Sequence, residues 1–462
     1  MPSPDIYPDT VTHLYTKNRT AVEGAVEMYY YELYGMWSGT GTMTLETNVQ
    51  AAGKYELALC CSVLVDSVDV RVEIAGQAAT VTAGRTWGAW IDEGKLDYNF
   101  ERVCVPGALD LPEGPVRIKV SLTGSCCAAK RCFAEQDEMP KKAFNLVSIE
   151  LTPVAAKKAI AKAEKEGLKY KSSGDWFVEA GYGLMFHWAD GTPMPDGRKK
   201  PYAQAVADFD VEKWAEMVED TGARYAFLTA NHGLPHFPAP LKYWETIHPG
   251  RTTKRDLIAD MIEALGRRNI RMACYLNCPT FGGLKTKGPA LEEYFDLNYR
   301  MFEEVGGRYG EGMAAYWLDS WYHPYVTYGR FPMQEMFRAT KTGYKDRMVA
   351  FNHWVFPIPS LCQDYWAAEM YKLLPATIET RLFQAGCAKG LQYHALLALD
   401  DWGIPPAGAK PAVWSGEVLA EYIGRAMTAQ GVVTVNLGIY QDGTITPATT
   451  EVMRTVRRTI RG

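Results

Sequence analysis

The first 150 residues alternate. Ser67–Ile74 and Val116–Leu122 place an apolar residue at nearly every second position, and Tyr55–Val63 is equally rich in β-formers. Gly53, Gly76 and the turn Leu111-Pro-Glu-Gly-Pro115 break these runs into short pieces. Short antiparallel strands at this spacing predict an all-β sandwich or jelly roll over residues 1–152. Residues 153–172 then become rich in Ala, Lys and Glu, which predicts a helical linker.

Over residues 173–462 the pattern changes to apolar runs separated by amphipathic stretches. Strands are predicted at 183–188, 224–230, 270–276, 314–319, 347–351, 361–366, 390–396 and 432–436. One predicted helix starts after Asp210 as N-cap and stops at Gly222. Another, from Asp256 to Arg268, lines up Leu257, Met261, Ile262 and Leu265 on one face. Strands alternating with helices predict an α/β fold, a (β/α)8 TIM-like barrel preceded by the all-β domain.

In such a barrel the residues just after each strand converge on one mouth. The run Ala314-Ala-Tyr-Trp-Leu-Asp319 is aromatic and apolar until it ends in a carboxylate, which is costly to bury unless something pairs it or uses it. The alternative for that Asp is a cap on the following loop or helix. Other strand ends carry His187 and Trp188, Asn231 and His232, Tyr275, Asn352-His353-Trp354, Trp366 and Glu369, His394, Trp402 and Asn436. Carboxylates, imidazoles, amides and indoles in one ring fit a pyranose: hydrogen bonds for its hydroxyls, aromatic faces for its C–H surfaces, and two acids for glycosidic cleavage. His232 and His236 have the i, i+4 spacing of metal ligands. The Gly-Leu-Pro between them breaks a helix, however, and no further ligand completes a shell, so neither metal nor cofactor is expected.

Composition narrows the partners. A net charge of −5 without a long basic run argues against nucleic acid or an anionic membrane, and no stretch nears the roughly 20 apolar residues of a membrane span. The 13 Trp and 27 Tyr suit a protein that stacks rings on sugars. The start, Met-Pro-Ser-Pro-Asp, lacks a basic segment followed by an apolar one, which predicts a cytoplasmic protein as given, or a secreted or periplasmic one had a leader been trimmed. The cysteine spacing, with vicinal pairs at 60–61 and 126–127, fits neither a zinc site nor a compact disulfide framework and reads as mostly reduced, buried thiols. A homo-oligomer is compatible with all of this.

The motifs also come in a recognisable order: Gly183-Leu-Met-Phe-His-Trp188, Phe209-Asp-Val-Glu-Lys-Trp214 running on to Thr229, Lys254-Arg-Asp-Leu-Ile258, Tyr316-Trp-Leu-Asp319, Asp364-Tyr-Trp-Ala-Ala-Glu369, and Val433-Thr-Val-Asn-Leu-Gly438 before Asp442-Gly-Thr-Ile445. Over residues 173–462 the chain resembles the α-L-fucosidase family, glycoside hydrolase family 29. The resemblance implies a retaining exo-glycosidase acting on a terminal fucosyl residue of an oligosaccharide or glycoconjugate by double displacement. Asp319 stands at the family's nucleophile position and Glu369 at that of the acid/base, with Glu379 as the alternative acid/base. His187, Trp188, Asn231, His232, Tyr275, Trp366 and Trp402 become expected sugar contacts. Asn231 replaces the first of two adjacent histidines common in the family, a departure that bears on the glycone. A different or substituted glycone, or sugar binding without turnover, are the competing expectations. The segment Gly35-Met-Trp-Ser-Gly-Thr-Gly-Thr-Met-Thr44 is similar to the small sandwich modules that accompany glycosidases, implying either a carbohydrate-binding module or a prop for the barrel.

Overall fold

The computed structural model describes residues 3–29, 31–86, 91–92, 96–97, 100–126, 143–188, 191–277, 290–354, 356–370, 380–384, 388–400 and 413–462. Its N-terminal part is an antiparallel sheet. The hydrogen-bonded order is Gln77–Gly84, Ser67–Ile74, Gly114–Cys126, Tyr34–Val49, Phe144–Pro153, Gly53–Val63 and Glu101–Leu111. Thr12–Tyr15 and Ala21–Tyr29 add to its sides. The sheet curls until its ends meet, where the Gln77 side-chain amide bonds both main-chain groups of Asp110. Alternation sends Trp37, Leu45, Leu59, Val70, Ile118 and Ile149 into the enclosed core. Cys61 joins that core, while Cys60 points away from it and donates to Glu150.

Residues Lys157–Leu168 form the helix predicted for the linker. Eight parallel strands follow: Tyr182–Phe186, Tyr225–Asn231, Arg271–Asn277, Met313–Asp319, Met348–Phe351, Glu369–Met370, His394–Ala398 and Val432–Leu437. They pair in the order five-four-three-two-one-eight-seven-six, that of a (β/α)8 barrel. Asp210 and Asp256 cap the helices Val211–Asp220 and Leu257–Gly266 by accepting from the N–H groups of Lys213 and Ala259, as their positions predict. The N-terminal end of the barrel is plugged by Phe177, from a short helix, whose ring packs on Tyr225, Tyr365 and His394.

The sixth strand departs from expectation. Instead of 361–366, the ladder comprises only Glu369 and Met370. Upstream, one main-chain bond (Asp364 N–H to Val349 C=O) joins this segment to the fifth strand. Side chains replace the others: the Val349 N–H donates to the Asp364 carboxylate and the Phe351 N–H to the Gln363 carbonyl oxygen. The polar residues that mask the apolar signal here are the ones that close the ring.

The two sheets pack closely. Tyr34 and Phe100 meet Phe356 of the barrel edge-on, and the His13 N–H donates to Gly329 C=O at 2.7 Å. Between them lies the buried carboxylate of Glu150, which accepts two bonds from Arg102 Nε at 2.8 and 2.9 Å and lies 3.3 Å from His13 Nδ1. Burial opposes its charge, but Arg102 and His13 outweigh burial and hold its proton affinity below the usual glutamate range. A depressed carboxyl contributes stability above its unfolded pKa and loses it as pH falls through the folded value. Glu150→Gln should therefore cost about 1–3 kcal/mol at pH 7. In calorimetric melts that deficit should shrink as pH falls below about 4.5. A deficit that grew on acidification would contradict this account.

Candidate active site

The two-residue period of the barrel strands decides what reaches the mouth. In the fourth strand Ala315 and Trp317 pack in the barrel interior and Tyr316 and Leu318 in the outer core, so Asp319 faces inward. The same parity turns His187, Tyr275, Asn277, Asn352 and Glu369 inward. It turns Trp188 and Trp366 outward.

The inward groups meet. Asp319 Oδ2 accepts from the Tyr275 hydroxyl at 2.6 Å, Ser320 Oγ at 3.0 Å and Asn277 Nδ2 at 3.5 Å. Asp319 Oδ1 accepts from Asn352 Nδ2 at 2.9 Å, and the same nitrogen donates to Glu369 Oε1 at 2.7 Å. The facing oxygens of the two carboxyls can be no farther apart than those two bonds laid end to end. That limit on the facing oxygens is close to the roughly 5–5.5 Å spacing of a retaining glycosidase pair.

Burial, then the charge of Asp319, raises the Glu369 pKa to about 8, against the opposing pull of the Asn352 bond. Tyr275 is pushed well above its ordinary value by burial, then by Asp319, so it stays a hydroxyl donor. Burial, with His232 adding to it, lowers His187 to about 4. Its neutral ring gives Nδ1–H to Asn436 Oδ1 at 2.7 Å, leaving Nε2 with a lone pair. The ring centroids of His187, His232 and Tyr275 lie 4.9–5.7 Å apart, a cluster of hydrogen-bonding groups beside Asp319.

Three of the eight non-glycine residues with positive φ among the described residues lie at the same place. Ser320 (φ 63°), Trp354 (φ 54°) and Ala368 (φ 50°) adopt left-handed conformations beside Asp319, Asn352 and Glu369 respectively. Each costs on the order of 1–3 kcal/mol unless its surroundings enforce it.

Thus the structure brings together Asp319, Glu369, His187, His232 and Tyr275. Three expected sugar contacts are engaged by the protein's own groups. Trp188 is buried among Tyr202 and Phe209 and donates to Gln441 C=O. Trp366 is buried against Phe383. Both follow from strand parity. The Asn231 amide spends both ends on the main chain of Asn277, donating at 2.9 Å and accepting at 3.1 Å, and so spans the register irregularity between strands two and three. Trp402 and Glu379 lie outside the described residues. His236 turns away from His232, stacking on Tyr202 at 4.4 Å and accepting from Arg251 at 2.8 Å. Among the described residues no cluster of three potential metal ligands forms, and no helix is long and apolar enough to cross a membrane.

Sequence reasoning placed Asn352 at a strand end but assigned it no role in this site, and missed Tyr322. Tyr322 opens the helix after strand four, and burial, then the charges of Asp319 and Glu369, raise its pKa. Counting inward positions along strand five would have found Asn352; no pattern marks Tyr322.

Two carboxyls facing each other in a barrel mouth, one with elevated proton affinity, are the equipment that glycoside hydrolysis requires. Residues 199–458, more than half of the chain, match the family model described as alpha-L-fucosidase, and the chain belongs to that family. It is similar to the tissue alpha-L-fucosidases of Homo sapiens and Macaca fascicularis, each 28% identical over 133 residues, covering 22% of this chain and 28% of theirs. The chain thus matches less than a third of the length of these relatives. Solved structures similar to it include an alpha-L-fucosidase of Bacteroides thetaiotaomicron trapped as a covalent intermediate with 2-fluoro-fucosyl fluoride (16% identity, TM-score 0.49, 63% of this chain and 77% of that one). Another is the Thermotoga maritima alpha-fucosidase in complex with fucose (18%, TM-score 0.45, 64% and 75%).

Proposed function

We propose that the protein is a retaining exo-α-L-fucosidase acting on terminal fucosyl residues of oligosaccharides or glycoconjugates. The observation that carries the mechanism is the shared donor between Asp319 and Glu369, which favours the close spacing of a retaining pair. Asp319 attacks the anomeric carbon as a carboxylate. Glu369, protonated at neutral pH, gives its proton to the departing oxygen. In the second step Glu369 takes a proton from water, which opens the fucosyl ester and regenerates both groups. His187, His232 and Tyr275 bind the sugar hydroxyls. Residues 1–152 act as a separate module that props the barrel, joined to residues 173–462 by the 153–172 linker. The ring contacts of Tyr34 and Phe100 on Phe356 support that role.

A panel of aryl glycosides tests the reading: the α-L-fucoside should be the best substrate, and NMR should show the α-anomer of fucose formed first. First-formed β-fucose, or a clear preference for another glycone, would overturn it. The raised proton affinity of Glu369 fixes the pH dependence. Activity falls as this acid loses its proton, so the alkaline limb of kcat/KM should lie well above the ordinary carboxylate range, near 8. Glu369→Gln should abolish that limb; its survival unchanged would assign it to another group.

A further inference from the structure

We propose that Asn352 is a positioning residue that sets both the spacing and the proton affinity of the Asp319–Glu369 pair. The inference deepens the fucosidase reading and rests on it for its kinetic part. Orientation comes first. Asn352 Oδ1 accepts from the Trp354 N–H at 2.9 Å, so Nδ2, with its two hydrogens, must be the end that faces the carboxyls. Trp354 itself sits at φ 54°, a conformation a bulky side chain rarely adopts. The Asn352 backbone is also pinned to the nucleophile strand: its N–H donates to Leu318 C=O at 2.6 Å, and its C=O accepts from Trp321 at 2.9 Å. The amide is fixed at both ends before any substrate arrives.

A primary amide offers two hydrogens about 120° apart, and here each carboxyl takes one. This has three consequences. The planar NH2 acts as a spacer of constant length, which holds the acid and the nucleophile on either side of one glycosidic bond. Because Glu369 Oε1 already accepts this N–H, the transferable proton belongs on Oε2. Finally, the bond favours the charged form of Glu369 and offsets burial and the charge of Asp319, which push the other way. Unopposed, those two would make Glu369 too weak an acid to give up its proton readily. Among the described residues the other titratable groups near the pair are Tyr275 from strand three, Tyr322 from the helix after strand four, and His187 and His232, which cluster beside Asp319; the donor to Glu369 is Asn352. Among the described residues Asp319 Oδ2 carries three donors and Oδ1 that of Asn352 alone, which leaves Oδ1 the oxygen with lone pairs to spend on the anomeric carbon.

The test titrates the Glu369 carboxyl directly in the full chain by 13C NMR without substrate, with Glu369→Gln as assignment control, and measures the kcat–pH profile on an aryl α-L-fucoside. In Asn352→Ala the Glu369 titration should move upward by about one pH unit, and the alkaline kinetic limb with it. kcat should fall about 10- to 100-fold while KM changes little. Asn352→Ser, which keeps one donor, should recover part of the loss, and it decides the matter should Asn352→Ala fail to fold. A folded variant in which the Glu369 titration stays where it is in the wild type overturns the proposal. Absence of fucoside turnover in the wild type would instead sink the enzymatic reading, while the titration would still report on Asn352.

Discussion

Asp319→Gly should lower turnover of an aryl α-L-fucoside by a factor on the order of 10⁴ or more, because it removes the group to which the sugar is transferred. The loss should not come from misfolding. Asp319 is the last residue of its strand, and the donors around it (Tyr275, Ser320, Asn277 and Asn352) can turn to water in the opened mouth. A small anion placed in the vacated space has a direct line to the anomeric carbon. Azide should therefore restore turnover and give the fucosyl azide of inverted configuration, since Glu369 still supplies its proton and only one displacement occurs. Wild-type-like rates without azide, or an azide product of retained configuration, would remove Asp319 from the mechanism.

The largest effect on stability is expected far from the chemistry, at Asp364. Its carboxylate is buried with Lys341, whose Nζ lies 2.6 Å from Oδ2. It also accepts from the Ser172 N–H at 2.7 Å and the Val349 N–H at 2.8 Å. Burial pushes Asp364 up and Lys341 down, toward the neutral pair, against their mutual attraction. Such a pair adds little net stability, yet losing one member costs about 3–5 kcal/mol because the other charge stays buried. Asp364→Ala further orphans two main-chain donors at about 1–3 kcal/mol each. Lys341→Met leaves both donors satisfied. We expect both variants to melt at least ~10 °C below the wild type by calorimetry, with Asp364→Ala the worse. Near-wild-type melting of Asp364→Ala, or the reverse order of the two, would contradict this account of the joint.

Much of this was legible in the chain. The β-to-α/β change of period, the caps at Asp210 and Asp256, and carboxylates at 319 and 369 all sit on local signals that packing reinforces. What failed was facing. The barrel strands are apolar on both sides, so their hydropathy hides the alternation that sends 187 inward and 188 outward, or 369 inward and 366 outward. Asp319 supplies the phase, since counting back by twos reaches Trp317 and Ala315; the same count on strand five reaches Asn352. Asn231 eluded the count for a different reason. A register irregularity precedes it, and its amide mends the strand edge that the irregularity opens. Tyr322 was illegible because its place depends on how a helix leaves the strand.

The side-chain joint between the fifth and sixth strands carries an evolutionary consequence. The stave bearing Asp319 is fastened to its neighbours by main-chain pairing, which side-chain substitutions other than proline leave in place. The stave bearing Glu369 is pegged to one neighbour by Asp364 and Gln363, and pegs are exchangeable. Mutation can therefore slide or tilt Glu369 while Asp319 stays anchored, giving this architecture one adjustable jaw.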